Sequence, residues 1–317
     1  MKNGLLLFTM LIVLSANSLA QEEHDTTDVQ QQLKIFMREV DSLKLDRRLF
    51  ALPKKSYLEM GVGYLSNNVY MGRKDSSVLP YIIPSLSYFH KSGLFMSASA
   101  AYLQNSTNSR FDLETFELGY MFFTPRYQGS FSAVKYFYNS QSTNVTSEIE
   151  ASLTYQNGYD FGFIRPTLTA TANFSNQADF MASFGLEHRF YLFHDRLDIT
   201  PEFVANASTQ NYYNDYYENK RYAVKRNEKK ETTAIKTMTG KVLDASTFKI
   251  LDYEASVSLY YTAGKFTFYC IPTYAIPVHP AMLSIHEVSF TGGARNYIAS
   301  EEIENSFFCM LGAYYRF

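Results

Sequence analysis

The chain has no tryptophan and only two cysteines, Cys270 and Cys309, among its 317 residues. So few cysteines exclude a disulfide-stapled scaffold. Charged residues make up 19% and aromatic residues 16%, which is too little charge and too many rings for a chain disordered over most of its length. Beyond the N-terminus no apolar run approaches about 18 residues, so a polytopic bundle of membrane-crossing helices is excluded. Lys and Arg number 29 against 31 Asp and Glu, a net charge of −2. That balance gives no reason to expect nucleic acid as a partner. What the chain has in abundance is Tyr and Phe, 26 of each. Its length suits two ordinary domains or one large β-barrel.

The N-terminus reads as an address. Lys2 precedes the apolar run Leu5 to Leu14, which is too short to span a bilayer. Ser18 and Ala20 then supply the small residues of a cleavage site. Residues 1–20 are therefore expected to be a secretory signal peptide. No cysteine follows the run, so a lipid anchor is not expected. Residues 21–56 form a polar segment with one helical stripe, Leu33, Phe36, Met37, Val40 and Leu43. It is expected to be a periplasmic tether or short amphipathic helix, with a plug inside a barrel as the sharper alternative.

From residue 57 the period changes to two. Leu58, Met60, Val62 and Tyr64 alternate with Glu59, Gly61, Gly63 and Leu65. Leu94, Met96, Ala98, Ala100 and Tyr102 alternate with Phe95, Ser97, Ser99 and Ala101. Leu251, Tyr253, Ala255, Val257 and Leu259 alternate with Asp252, Glu254, Ser256 and Ser258. One face is apolar with aromatics at its ends, and the other is small and polar with charges. Segments of about ten residues fit a tilted strand crossing a bilayer, and aromatic ends fit interfacial girdles. Twelve strands are expected, near 57–66, 80–89, 94–103, 113–123, 130–138, 147–156, 161–173, 179–190, 196–207, 249–262, 265–275 and 306–317. Ten or fourteen are the alternatives.

The links test this independently. Those at 90–93, 124–129, 157–160, 191–196 and 263–264 are short. Those at 67–79, 104–112, 139–146, 208–248 and 276–305 are mostly longer. Short periplasmic turns alternating with long outer loops are a mark of membrane barrels. Residues 234–242 could form a strand, but Lys236 and Lys241 fall on opposite faces. The segment is therefore expected above the membrane.

The chain ends Ala313-Tyr314-Tyr315-Arg316-Phe317. A terminal aromatic on an amphipathic strand resembles the C-terminal signature of Gram-negative outer membrane β-barrel proteins. The Tyr-rich, Trp-free style resembles such barrels from the Bacteroidetes. The resemblance covers roughly residues 57–317 at the level of architecture. It implies an all-β, antiparallel, up-and-down barrel in the outer membrane. It also implies contact with lipid and lipopolysaccharide, and assembly machinery that reads Phe317. No cofactor or metal is implied.

Taking the polar face inward, the lumen should hold the acids Glu59, Glu117, Glu148, Glu150, Glu187, Asp198, Glu202, Asp252 and Glu254. Its bases should be Lys135, Arg165, Arg189 and Arg316, leaving −5. Like charge in a narrow passage selects counter-ions. The expected function is thus a narrow channel for small polar or cationic solutes. The alternatives are a non-conducting surface protein that binds a ligand through its loops and, distantly, a lipid-modifying enzyme. In loop 208–248, Tyr212, Tyr213, Tyr216 and Tyr217 with Arg221 and Arg226 could recognise surface glycans. Solvation among lipopolysaccharide headgroups is the plainer reading.

His90-Lys91-Ser92 resembles the His-x-Ser pair of outer membrane phospholipases, but it lies in a turn and continues as Gly93-Leu94. His279, His286 and Glu287 could ligate a metal, although polar loop surface is the expectation. His188 is expected at the membrane interface. Cys309 should face outward with Phe317, and Cys270 with Phe266 and Phe268, within about three residues of pairing. Two free thiols are expected, a cross-strand disulfide being the alternative.

Overall fold

The computed structural model describes residues 55–73, 79–104, 109–140, 142, 146–194, 196–216, 235–289 and 293–317. Sixteen strands lie among them. They are β1 (Tyr57–Leu65), β2 (Tyr81–Phe89), β3 (Leu94–Leu103), β4 (Arg110–Phe123), β5 (Tyr127–Tyr138), β6 (Ala151–Tyr159), β7 (Arg165–Phe174) and β8 (Ala178–Glu187). Next come β9 (Phe190–Leu192), β10 (Leu197–Ser208), β11 (Ile235–Val242), β12 (Lys249–Ala263), β13 (Phe266–Pro277), β14 (Met282–Ser289), β15 (Ala294–Ser300) and β16 (Ser306–Arg316). One helix, α1 (Asn211–Tyr216), precedes β11. The signal peptide and nearly all of the 21–56 segment lie outside the described residues.

Twelve strands close one antiparallel ring, in the order β1 to β8, β10, β12, β13, β16 and back to β1. These are the twelve expected from the alternation. The three-residue β9 pairs with β10 in line with β8, so the eighth strand is interrupted at His188 and Arg189. Closure removes both sheet edges, so no ladder donor is left exposed along the wall. The remaining strands form a separate sheet, β11-β14-β15. β11 thus lies outside the ring, as expected of this segment. Its partner comes from loop 276–305, whose two strands sequence periodicity did not reveal.

Alternation decides which side chains face out. Met60, Leu86, Leu118, Phe131, Phe184 and Phe307 are exposed on the outer wall. Leaving one such side chain in water forgoes about 1.5–3 kcal/mol. The inward face differs from expectation: besides small polar residues it holds many large rings. Tyr81, Phe89, Phe95, Tyr136, Tyr260, Tyr269 and Tyr314 are all buried inside the ring. Glycines make room for three of them: Gly119 faces Phe95, Gly63 and Gly312 face Tyr269, and Gly61 lies against Tyr314. A Cβ built on Gly312 would lie 2.2 Å from the Tyr269 hydroxyl and 2.6 Å from the Val62 carbonyl oxygen.

Two register shifts break the alternation. One puts both Leu113 and Asp112 inward on β4. The other, between Asn206 and Ala207 of β10, leaves Leu251 as the extra residue on β12. Both Leu251 and Asp252 therefore point inward and are wholly buried. The sequence pattern had placed Leu251 outward.

Cys270 and Cys309 lie on the outer wall, and their sulfurs are 3.8 Å apart. Cys270 is directly opposite Leu311, and Cys309 opposite Pro272. The cysteines are therefore diagonal neighbours, and diagonal pairs lie about 7–8 Å apart, beyond the usual reach of a disulfide. Alkylation in denaturant without reductant is expected to label two thiols per chain; none labelled would contradict this. A second expectation concerns Gly312. Gly312→Val should destabilise the barrel by about 1–3 kcal/mol through overpacking, seen as a lower denaturant midpoint. Gly293→Ala, where nothing lies within 4 Å of the added Cβ, should leave the midpoint unchanged.

Candidate functional site

Besides its rings, the inward face carries polar and charged side chains toward both ends. Toward the short-turn end, β7, β8 and β10 bring together Arg165, Glu187 and Glu202 as cross-strand neighbours. Like charges directly opposite destabilise a sheet. Here Glu187 is held by two guanidinium groups: Arg165 Nη1 donates to Oε1 at 2.8 Å, and Arg189 Nη2 lies 3.2 Å away. Arg165 Nη2 also donates to Gln128 Oε1 at 2.6 Å. The break after β8 lets Arg189 reach back to Glu187. Thr200 donates to Asp198 at 2.7 Å. Gln156, Asn157, Ser130, Thr167 and Ser258 line the same cavity. Met121 lines it too, so its walls mix amides, hydroxyls and charged groups with apolar surface.

On the far side of this end, Arg316 donates to Glu59 Oε2 from Nε at 3.0 Å, with Nη2 at 2.9 Å. Its guanidinium also stacks over Tyr57. Glu117 faces inward and is buried, and so are Asp252 and Glu254.

Three of the expected lumen charges sit elsewhere. Val134 and Tyr136 are the inward residues of β5, so Lys135 points outward, where it meets Glu150 at 3.0 Å. The pair lies near the long-loop end of the wall, where a long side chain can carry its charge to water. Strand β6 begins only at Ala151, so Glu150 escapes its inward parity, and Glu148 lies in the turn before it. Of the expected set, seven acids and three bases then remain inside, leaving −4 rather than −5.

The long-loop end is closed by a feature the sequence did not flag. Residues 66–73 fold across the mouth and turn back at Met71-Gly72, both at positive φ. Tyr70 and Arg73 exchange backbone hydrogen bonds at 2.9 and 2.8 Å around this turn, as in a type I′ turn. β1 and β2 lie across the ring from β7 and β8. Yet the Tyr70 hydroxyl accepts from Asn173 of β7 at 3.1 Å and lies 3.9 Å from the sulfur of Met181 of β8. The loop therefore spans the mouth. The signal available in the sequence was Val69-Tyr70-Met71, three apolar residues in a link that should be polar.

Arg73 locks this loop. Its side chain is wholly buried. Nη1 donates to the carbonyls of Met71 at 2.9 Å and Leu251 at 3.2 Å, and Nη2 to that of His279 at 2.9 Å. Nε lies 3.5 Å from Glu301 Oε2. Glu301 also accepts from Tyr213 and from the Ala281 amide. Three loops meet at this one ion pair.

Tyr212 and Tyr213, expected on a recognition surface, are instead fully buried in α1. Asp179 caps that helix, accepting from Thr209 Oγ1 at 2.6 Å and from the amides of Asn211 and Tyr212, each at 2.7 Å. These rings close the mouth rather than face solvent. The side chain of Tyr216, with Tyr217, Arg221 and Arg226, lies outside the described residues.

The weaker candidates disperse. His90 Nδ1 and Ser92 Oγ are 2.8 Å apart, but Ser92 N also donates to that nitrogen, so the contact closes an exposed turn. His279 bonds the Ile250 carbonyl, His286 bonds Asn296 and Glu287 pairs with Arg295. Among the described residues, no group of three or more His, Cys, Asp or Glu converges as a metal site. Phe317 is exposed on the outer wall against Tyr315, its amide bonded to the Leu58 carbonyl.

No family model matches the chain, and no curated protein matches it. Solved structures similar to it include the NanC porin, at 9% identity and a TM-score of 0.43, covering 81% of this chain and 98% of that one. A bacterial polysaccharide outer membrane secretin matches at 10% identity and a TM-score of 0.36, covering 83% and 99%. A porin refined at 1.8 Å matches at 10% identity and a TM-score of 0.27, covering 83% and 99%. Likeness at this level carries no inference about activity.

Breaking a buried ion pair costs about 3–5 kcal/mol. Arg73→Met should lower the unfolding free energy in detergent by about that amount. Arg73→Lys should recover little, because one ammonium cannot serve three carbonyls and a carboxylate together. A Lys variant as stable as the native chain would contradict the lock.

Proposed function

We propose that the chain crosses the bacterial outer membrane as a narrow channel for small polar solutes, with its long loops outside. The observation that carries this reading is the opposition of the two wall faces. The outer wall is predominantly apolar with rings toward its ends, as hydrocarbon and its interfaces require, and its Lys135–Glu150 pair lies near the long-loop end. The inner wall carries the Arg165–Glu187–Arg189 network and an excess of carboxylates. That excess favours cations over anions of equal size. The export signal read at residues 1–20 and the terminal Phe317 agree with the same destination. Loop 66–73 is the constriction, and solute passes as this loop yields.

One observation favours a second reading. The constriction is buried and multiply bonded, as it would be in a non-conducting barrel that presents the β11-β14-β15 sheet to a partner outside.

Planar-bilayer recording separates the two. The native chain should give small, cation-preferring conductance steps. Removing residues 67–73 should enlarge them several-fold, and Glu187→Gln should weaken the cation preference. Silence from both the native and the shortened chain would discard the channel in favour of the surface protein.

A further inference from the structure

The short-turn end of the barrel carries charge that neither the lumen nor the mouth uses. Lys55, Lys91, Arg126 and Lys265 are all exposed there. Around the ring they occupy successive positions: the β12–β13 turn, the segment before β1, the β2–β3 turn and the β4–β5 turn. Lys55 and Lys91 are held near one another, because the Lys91 amide donates to Ser56 Oγ at 3.1 Å. Among the described residues, none of the four cations is in an ion pair. Arg316, also at this end, is engaged by Glu59 at 2.9 Å. Of the carboxylates at this end, that of Phe317 lies within the arc. Asp160 lies across the ring on the β6–β7 turn, where it accepts from the Gly162 amide at 2.6 Å. Like charge gathered on one rim draws anions to it.

A second, independent observation says what kind of anion. The cations border the outer wall rather than the lumen. Lys265 Nζ lies 5.5 Å above the Tyr315 ring. Tyr315 alternates with the buried Tyr314 and so faces outward, with Phe266 and Phe317 each 4.8 Å from it between ring centroids. Tyr88, two residues before His90, is an exposed outward ring. Phe122 and Tyr127 flank the Arg126 turn, 5.8 Å apart, and alternation with the exposed Tyr120 and Phe131 puts both outward. Rings at the edge of an apolar wall sit at the level of lipid headgroups. Lys and Arg just beyond that level attract anionic lipid. Toward the long-loop end the wall instead carries Glu114 and the neutral Lys135–Glu150 pair.

We propose that Lys265, Lys55, Lys91 and Arg126 form a docking arc for anionic phospholipid. The headgroup phosphates lie on the cations and the acyl chains along the adjoining rings and wall. The lysines act as point charges, and the Arg126 fork can take two phosphate oxygens at once. A free phosphate would use the cations without the rings. A phospholipid uses both, and its chains lie on a surface that already faces hydrocarbon. With the long loops outside, the arc faces the periplasmic leaflet, so lipid of that leaflet sets the depth of the barrel on this side. The inference rests on the membrane-crossing part of the proposed function and is independent of whether the barrel conducts.

The test uses the full-length chain refolded into vesicles of neutral phosphatidylcholine. These hold a trace of spin-labelled phosphatidylglycerol or, in parallel, spin-labelled phosphatidylcholine. Labels slowed at the barrel surface report how strongly each lipid associates. Phosphatidylglycerol should associate several-fold more strongly. Raising the salt from about 0.1 M to about 1 M shortens the Debye length from about 10 Å to about 3 Å and should remove most of the difference. Lys55→Gln, Lys91→Gln and Lys265→Gln together should remove it at low salt, with the circular dichroism unchanged. Lys135→Gln, Lys241→Gln and Lys249→Gln together, which take the same charge from the long-loop end, should preserve it. Equal association of the two lipids with the native chain would overturn the proposal, and the arc would then serve a soluble periplasmic partner. A preference that survives the first triple variant, or is lost equally in the second, would overturn it as well. Slowed lipid of neither kind would show that the wall does not meet lipid, which sinks the membrane-crossing reading and this inference with it. Should the first variant not fold, the headgroup comparison on the native chain and its salt dependence decide.

Discussion

Closure of the ring is the constraint on which the rest of the molecule depends. β1 must meet β16, and β10 must meet β12, with antiparallel pairing carried across both seams. Once the ring closes, its circumference is fixed, and so is the room inside. Some inward rings then face a glycine on a neighbouring strand, as Tyr269 faces Gly312 and Gly63, and Phe95 faces Gly119, while others stack on one another, as Phe89 does on Tyr57 and Phe95. The outward set is free of that limit. It can be large and apolar because, among the described residues, no second layer packs against it.

Closure also makes parity almost absolute, so departures from it are informative. They occur at Asp112 on β4, at His188 and Arg189 after β8, and at Leu251 on β12. The first turns Asp112 inward and the last turns Leu251 inward, where regular alternation would place each outward. Asp112 then gathers Tyr81, Ser142 and Arg110. Arg189 joins Arg165 on Glu187. Asp252, inward by regular alternation, faces Asn206 beside the bulge. In each case the wall gives up a little regularity where chemistry collects.

The mouth follows different physics. Loop 66–73 cannot be held by ladder bonds across an open lumen, so its backbone polar groups need side-chain partners. Arg73 supplies several at once, because a guanidinium carries donors in a fixed fork. Glu301 balances it and in turn recruits Tyr213 and Ala281. The result is a cap in which loops from three parts of the chain share one charge pair. Losing either member would expose the others to a cost that no local rearrangement relieves.

The twelve wall strands, the two faces of most of them and the alternation of short and long links were legible in the sequence. Each rests on information local to about ten residues, and a period of two survives any tertiary context that closes into a barrel. The inward placement of Glu59, Arg165, Glu187, Arg189 and Glu254 could be read for the same reason. The outward Lys135–Glu150 pair could not, because the start of β6 and not a residue pattern decides where Glu150 points. Nor could the turn of Leu251, which depends on the register of its partner strand. The β11-β14-β15 sheet joins two separate loops, and Arg73 finds Glu301, close to the other end of the chain, because β1 pairs with β16. Those contacts exist only once the ring has brought the loops together over one mouth, so tertiary structure alone decided them.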